Sequence, residues 1–281
     1  MTAEPLRLAR SALYVPGDAP DKLRSALDRG ADELIVDLED AVRPERKDLA
    51  RDIVAMWLDD LPTSDVGVWV RVNPGEAGLE DIRAIGEAEG FTGVVLAKAE
   101  SAADVEAASA VLDALGSAAR IVPLLESGGA ILRAAEIAAA PRVHRLQVGE
   151  ADLRADLGVT LGPDERELLW VRSQIVVVSA ASGIAPPIAP VSTDFRDLAA
   201  LRASTEALAR IGFVGRACIH PAQVAVVNEV FTPTAEAVAE AEEILTALAA
   251  AGSGVAVDSR GRMLDEAVAR QARLVLARAH R

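Results

Sequence analysis

The sequence predicts an α/β fold, a closed (β/α)8 TIM barrel with a C-terminal helical arm or lid. Eight short apolar runs alternate with helix-like segments over about 230 residues. Turn residues such as Pro16-Gly17 and Asn73-Pro74-Gly75 close those runs. Polar residues recur where the runs stop: Asp37, Glu39, Arg71, Lys98, Glu126, Asp152 and His220. Barrel active sites form at that end of the strands. An open doubly wound sheet is the alternative, weakened because no dinucleotide-type glycine fingerprint follows the first run.

Taken in order, strands are expected over 11–16, 33–38, 66–72, 93–98, 121–125, 143–148, 185–191 and 216–220. Each is a β-branched or leucine-rich run bounded by turn residues. The 185–191 run is odd for its three prolines. Helices are expected over 79–87, 102–115, 130–139, 163–181, 194–211, 221–230 and 234–251. Asp18 can cap a helix after the first strand, and Pro44 suits the first turn of another. Residues 1–251 form the barrel domain in this reading. Residues 252–281 form an arm, with an extended piece at 255–258 and a helix from 264, suited to packing on a neighbouring subunit.

The bulk numbers exclude several classes. A chain of 281 residues with 51% hydrophobic content buries a large core. A net charge of −14 speaks against nucleic acid or an anionic membrane as partner. Its only lysines are Lys22, Lys47 and Lys98, so arginine carries nearly all positive charge. One cysteine, Cys218, excludes an internal disulfide and a cysteine-based zinc site. Residues 1–10 have no apolar core and read as no signal peptide, and 175–191 is too broken to span a bilayer. A cytoplasmic protein is expected.

The chemistry centres on 121–152. Two strands joined by a helix end in Glu126 and Asp152, and such strands lie side by side with the same edge up. Two close carboxylates need a cation or proton between them. A hard divalent ion with spare positions for substrate, Mg²⁺, fits oxygen ligands. A structural ion network is the plain alternative. Arg71 suits a carboxylate or enolate oxygen, or else a salt bridge to Glu39. Lys98 suits a Schiff base as in metal-free aldolases, or else a rim ion pair with Asp37 or Glu39. Cys218 and His220 share one side of a strand, as a nucleophilic pair or as a buried thiol beside a hydrogen-bonded histidine.

Several stretches resemble the citrate lyase beta-subunit-like proteins, relatives of malyl-CoA and citramalyl-CoA lyases. They are residues 10–17 (RSALYVPG), Asp37-Leu38-Glu39-Asp40-Ala41-Val42 with Lys47 and Ala50-Arg51, and Arg71-Val72-Asn73. Further on come Leu125-Glu126, residues 148–153 (VGEADL), Ile219-His220-Pro221-Ala222-Gln223 and Phe231-Thr232-Pro233. The likeness covers nearly the whole chain in order. It implies a barrel that assembles as a homotrimer or hexamer, with Mg²⁺ held by Glu126 and Asp152. It implies catalytic roles for Arg71, Glu39 and Asp265. Acid substrate would meet Arg71, Glu126 and the amides near Gly149 and Ala151. A coenzyme A thioester would enter past Arg10 and Lys22. Asp265, in Met263-Leu264-Asp265, would act from the arm of a neighbouring subunit as acid/base. The implied reaction is cleavage or formation of a 3-hydroxyacyl-CoA, giving acetyl-CoA or a homologue and a small 2-oxo acid. An acyl-carrier protein is a possible thioester carrier if the chain is a subunit of a larger complex. Two departures stand out: Ser259-Arg260 reads as an insertion before Gly261-Arg262-Met263, and Ser127-Gly128-Gly129 replaces a threonine-containing turn.

Overall fold

The computed structural model describes residues 8–88, 90–251, 254–258 and 260–279. Two compact units separate: Ala9–Asn228 is one, and the chain from Glu229 onward belongs to the other. In the larger unit the order is β1 (Ser11–Pro16), α1 (Pro20–Arg24), β2 (Glu33–Asp37), α2 (Lys47–Asp59), β3 (Gly67–Val72), α3 (Gly75–Ile85), β4 (Gly93–Leu96), α4 (Ala102–Ala114) and β5 (Arg120–Leu125). Then follow α5 (Gly128–Leu132), α6 (Ala134–Ala138), β6 (Gln147–Val148), α7 (Glu150–Leu157), α8 (Leu169–Ala181), α9 (Leu198–Arg210), β7 (Arg216–Cys218) and α10 (Pro221–Phe231), which runs across the boundary. The smaller unit holds α11 (Ala235–Ala251), a hairpin of β8 (Ala256–Val257) and β9 (Met263–Leu264), and α12 (Glu266–Ala279).

All seven strands of the larger unit are parallel, in the order β6-β5-β4-β3-β2-β1-β7. The sheet curls. Ala12, Ile35, Trp69, Val95, Val122, Leu124, Ile188 and Ala217 come from almost every strand and meet in one buried cluster. Arg145, just before β6, grips Glu33 of β2 with both guanidinium nitrogens, at 3.1 and 2.5 Å. Those strands stand four places apart in the sheet, so only a strongly curved sheet brings them together.

The expected strand over 185–191 is corrected. That segment carries a single parallel bridge, Ala189 to Arg216. Pro186, Pro187 and Pro190 have no N–H to give, so a continuous ladder cannot form. The segment still meets both flanks: Ala185 N–H donates to the His144 carbonyl at 2.9 Å on one side, and on the other Ala189 N–H donates to the Gly215 carbonyl at 2.7 Å while Val214 and Ala217 N–H donate to the Pro187 and Ala189 carbonyls at 3.2 and 2.9 Å. The 143–148 run shortens to β6 plus a bridge at Val143. The 130–139 helix breaks into α5 and α6 at Arg133. Asp18 caps nothing; it accepts from Arg46 Nε at 2.7 Å, and the α1 cap position is Ala19. A further helix, α7, occupies residues to which no element was assigned from the sequence.

His144 lies beneath this core, stacked on Trp69 at 5.4 Å, with Arg145, Glu33 and Arg120 as its charged neighbours. Burial, helped by the Arg145 charge, pulls its pKa down to about 4. The unfolded chain therefore binds a proton near the ordinary value while the native state does not. Stability falls as pH drops from about 6.5 to about 4, by up to about 3 kcal/mol from this residue. Urea unfolding at about pH 7 and about pH 4.5 should show His144→Phe losing less stability on acidification than the parent. Equal losses would remove His144 as the cause.

Candidate active site

The rim at the C-terminal ends of β2 to β6 is built by three stretches. The first is the turn after β2. Asp37, 2% exposed, accepts from the Glu39 and Ala41 backbone N–H groups at 2.9 and 3.1 Å, which fixes the turn. Lys47 braces it from outside, donating to the Leu38 and Glu39 carbonyls at 2.8 Å each and to Asn73 Oδ1 at 2.6 Å. Asn73 in turn donates to the Leu38 carbonyl and to Asp81, which Arg51 also binds. These are the residues on which the family resemblance rests, and their role here is to hold the loop that presents Asp37 and Glu39.

The second is Arg71 on β3. Its Nε and Nη2 fork onto Asp37 at 2.7 and 2.6 Å, and Nη1 reaches Glu39 Oε2 at 3.0 Å. The guanidinium lies 5.1 Å above the Tyr14 ring. Burial works against its charge, but the Asp37 hydrogen bonds and charge outweigh burial and raise its pKa. The salt bridge to Glu39 read as the alternative is present, and the stronger pair with Asp37 was not anticipated.

The third joins Lys98, Glu126 and Asp152. Lys98 follows β4 with φ of 51°, in the left-handed region. Its N–H donates to Glu126 Oε2 at 2.8 Å, and its ammonium pairs with Glu39 Oε1. Asp40 and Asp152 lie 3.7 and 3.6 Å from the same ammonium. Glu126 ends β5 and is 7% exposed. Burial pushes its carboxyl up to about 7, against the pull of Lys98 and with a further push from the Glu39 and Asp152 charges. Asp152, in the first turn of α7, is 45% exposed.

Of the expected residues, the rim brings together Arg71, Glu39, Glu126, Gly149 and Asp152. Gly149 acts otherwise than expected: its N–H already donates to the Leu125 carbonyl at 3.0 Å. What matters is its missing side chain, since a Cβ there would stand 2.3 Å from Glu126 Oε1. Ala151 lies in the first turn of α7, whose amides have no partner inside the helix. Lys22 is an exposed residue of α1, on the same side of the sheet as the rim. Arg10 is not brought here. It precedes β1 and clasps Asp32, before β2, at 2.9 and 3.0 Å, at the opposite end of the strands. Asp265, in the smaller unit, accepts from Ala267 and Val268 N–H at 2.9 and 3.0 Å and caps α12. Arg260 N–H and Arg262 N–H bind Asp258; Ser259 lies outside the described residues. Cys218 is fully buried, and burial pushes its thiol up to about 12, which favours the buried-thiol reading over a nucleophile. His220 is exposed and stacks on Phe195. Tyr14 and Lys47, which fall in the stretches that carry the resemblance, were given no site role, and the Glu150–Arg172 fork (2.6 and 2.7 Å) that anchors α7 was not anticipated.

A divalent cation suits Glu126 and Asp152. Among the described residues neither is bound by an arginine, and Lys98 N–H is the contact that holds Glu126 Oε2. Among the described residues no group of three or more His, Cys, Asp or Glu side chains encloses a metal. A pair that leaves most positions to water and substrate is the usual Mg²⁺ arrangement. Gly149→Ala should weaken Mg²⁺ binding about tenfold to a hundredfold in calorimetry, because Glu126 must move. An unchanged affinity would show that the carboxylate has room elsewhere.

Carboxylates gathered around a lysine and a largely covered arginine, at the strand ends of a curled parallel sheet, have the make-up of an enzyme active site. The chain belongs to the HpcH/HpaI aldolase/citrate lyase family, whose model matches residues 10–221; it is a carbon–carbon lyase. It is 33% identical to the citrate lyase subunit beta-like protein of Deinococcus radiodurans, over 97% of this chain and 98% of that one. It is 33% identical to the L-malyl-CoA/beta-methylmalyl-CoA lyase of Rhodobacter capsulatus, over 98% and 96%. The structure of CitE from Mycobacterium tuberculosis in complex with magnesium, acetoacetate and coenzyme A superposes with a TM-score of 0.78 at 30% identity, covering 98% of this chain and 99% of that one. The citrate lyase beta subunit from the same organism, complexed with oxaloacetate and magnesium, has a TM-score of 0.68 at 30% identity over 82% and 100%.

Proposed function

We propose that the chain cleaves, or in reverse forms, a 3-hydroxyacyl-CoA such as citryl-, malyl- or citramalyl-CoA, giving acetyl-CoA or a homologue and a 2-oxo acid. The observation that carries this is the Glu126–Asp152 pair beside Arg71 at one rim. Mg²⁺ is the cofactor, supported by the magnesium in the neighbouring solved structures, and it supplies Lewis-acid polarisation of the acid's oxygens. Glu126 and Asp152 hold it. Arg71, kept charged and oriented by Asp37, would donate its remaining N–H groups to the acid's carboxylate. Glu39, tied to Arg71 and Lys98, stands ready at 3% exposure to keep both cations in place. Asp265 would return a proton to the enolate carbon from a neighbouring subunit's arm, a role supported by the resemblance of Met263-Leu264-Asp265.

The closed eight-stranded barrel, with 185–191 as its eighth stave, is supported by the bonds from Ala185 and Ala189 to the two flanks. A homotrimer or hexamer, an arm from 252 and a cytoplasmic setting go with the same reading; no helix among the described residues is long and apolar enough to cross a membrane. The Schiff-base route is disfavoured. Burial opposes the charge of Lys98, but the Glu39 hydrogen bond and the acid charges around it raise its pKa, and a protonated amine does not attack a carbonyl. A second reading, a subunit acting on an acyl-carrier-protein thioester, draws on the 32% identical citrate lyase subunit beta of Leuconostoc mesenteroides. The test is the isolated chain with Mg²⁺ and a panel of malyl-, citramalyl- and citryl-CoA. Release of a 2-oxo acid supports the proposal. Turnover only of carrier-protein thioesters supports the second reading, and turnover unaffected by chelator, or none on either carrier, overturns the proposal.

A further inference from the structure

We propose that Lys98 is a positioning residue that holds the rim carboxylates in register and competes with the divalent cation for Asp152. The competition part rests on the metal reading above; the positioning part does not. One residue acts at both ends. Its backbone N–H fixes Glu126, and its ammonium joins Glu39 to the edges of Asp40 and Asp152.

The backbone conformation supports the assignment. Lys98 has φ of 51°, where a side chain is strained and glycine is not. Glycine would present the same N–H to Glu126 without that cost. The lysine side chain therefore has work of its own at this position. Around it stand the carboxylates of Glu39, Asp40, Glu126 and Asp152, and Arg71 is committed to Asp37 and Glu39. Among the described residues Lys98 is the cation within 4 Å of Asp152. A divalent ion approaching Asp152 meets that ammonium as a rival for the same oxygens and as a like charge. Lys98 thus keeps the carboxylates together when no metal is bound, at the expense of metal affinity.

The experiment uses the whole protein with Lys98→Asn and Lys98→Arg. Asparagine accepts the left-handed backbone and keeps the N–H to Glu126, so it deletes only the ammonium. Calorimetric titration with MgCl2 at low salt, without substrate, should show Lys98→Asn binding about tenfold more tightly than the parent, and Lys98→Arg close to it. Equal or weaker binding by Lys98→Asn overturns the competition; general damage to the site would also weaken binding rather than tighten it. Melting in excess chelator at low salt should show Lys98→Asn less stable than the parent and Lys98→Arg unchanged. An unchanged melting temperature for Lys98→Asn overturns the positioning role. If the parent binds no Mg²⁺, the metal reading and the competition fall together, and the chelator melts still decide the positioning role.

Discussion

Glu126→Gln is expected to leave the chain folded and lower kcat/KM by about three orders of magnitude or more. The amide keeps the side-chain volume and still accepts from Lys98 N–H, so the local backbone has no reason to move. What it removes is one of the two carboxylates proposed to hold the cation. The parent carboxylate is held at a cost, since burial pushes its pKa up to about 7. A neutral amide relieves that cost, and the melting temperature should be equal to or above that of the parent. Asp152→Asn should show the same kinetic loss with less effect on melting, because that side chain is 45% exposed. Steady-state kinetics with titrated MgCl2 and a melting curve read both parts. Near-parent turnover by Glu126→Gln would remove Glu126 from the metal site.

Asp37→Ala should be the most destabilising change at the rim, at about 3–5 kcal/mol. The carboxylate accepts from Arg71 Nε and Nη2 and from the backbone of Glu39 and Ala41. Deleting it strands a buried guanidinium and frees the turn that carries Glu39. Activity should fall as well, since Arg71 loses its orientation. Urea unfolding with a fixed m-value measures the loss. A cost below about 1 kcal/mol would mean that Glu39 alone holds Arg71. Asp37→Asn, which keeps two acceptor contacts, should fall between the parent and the alanine variant.

The first five strands were legible because each is a near-continuous apolar run, as parallel strands buried on both faces must be. The end of the sheet was less so. Residues 185–191 have the composition of a strand, yet their prolines cannot complete a ladder, and composition alone does not register a missing donor. The helix α7 was hidden in plain view. Glu150 and Asp152 in its first turn and left-handed Gly158 at its end are ordinary start and stop signals. They went unread because Asp152 was taken only as a site residue and Glu150 only as part of the stretch around it. At the site, position at a strand end located Glu126, Arg71 and Lys98, whereas Asp152, expected at the end of a strand, lies in the first turn of α7. Pairing could not be read that way: the Asp37 fork on Arg71, the left-handed turn at Lys98 and the seat of Arg10 at the far end depend on register between strands.

The proline-studded segment beside β7 also affects how safely this sheet sits among other chains. The flanks of a parallel sheet invite strand addition from any passing polypeptide that can offer matching amides. Of the seven residues at 185–191, three are prolines, and Ala185 and Ala189 already donate inward. Of the remaining N–H groups, that of Ile188 lies in the core at 1% exposure, out of a newcomer's reach, so no ladder can start. The flank is closed to intruders by chemistry as much as by geometry, and a growing fibril would find no template there.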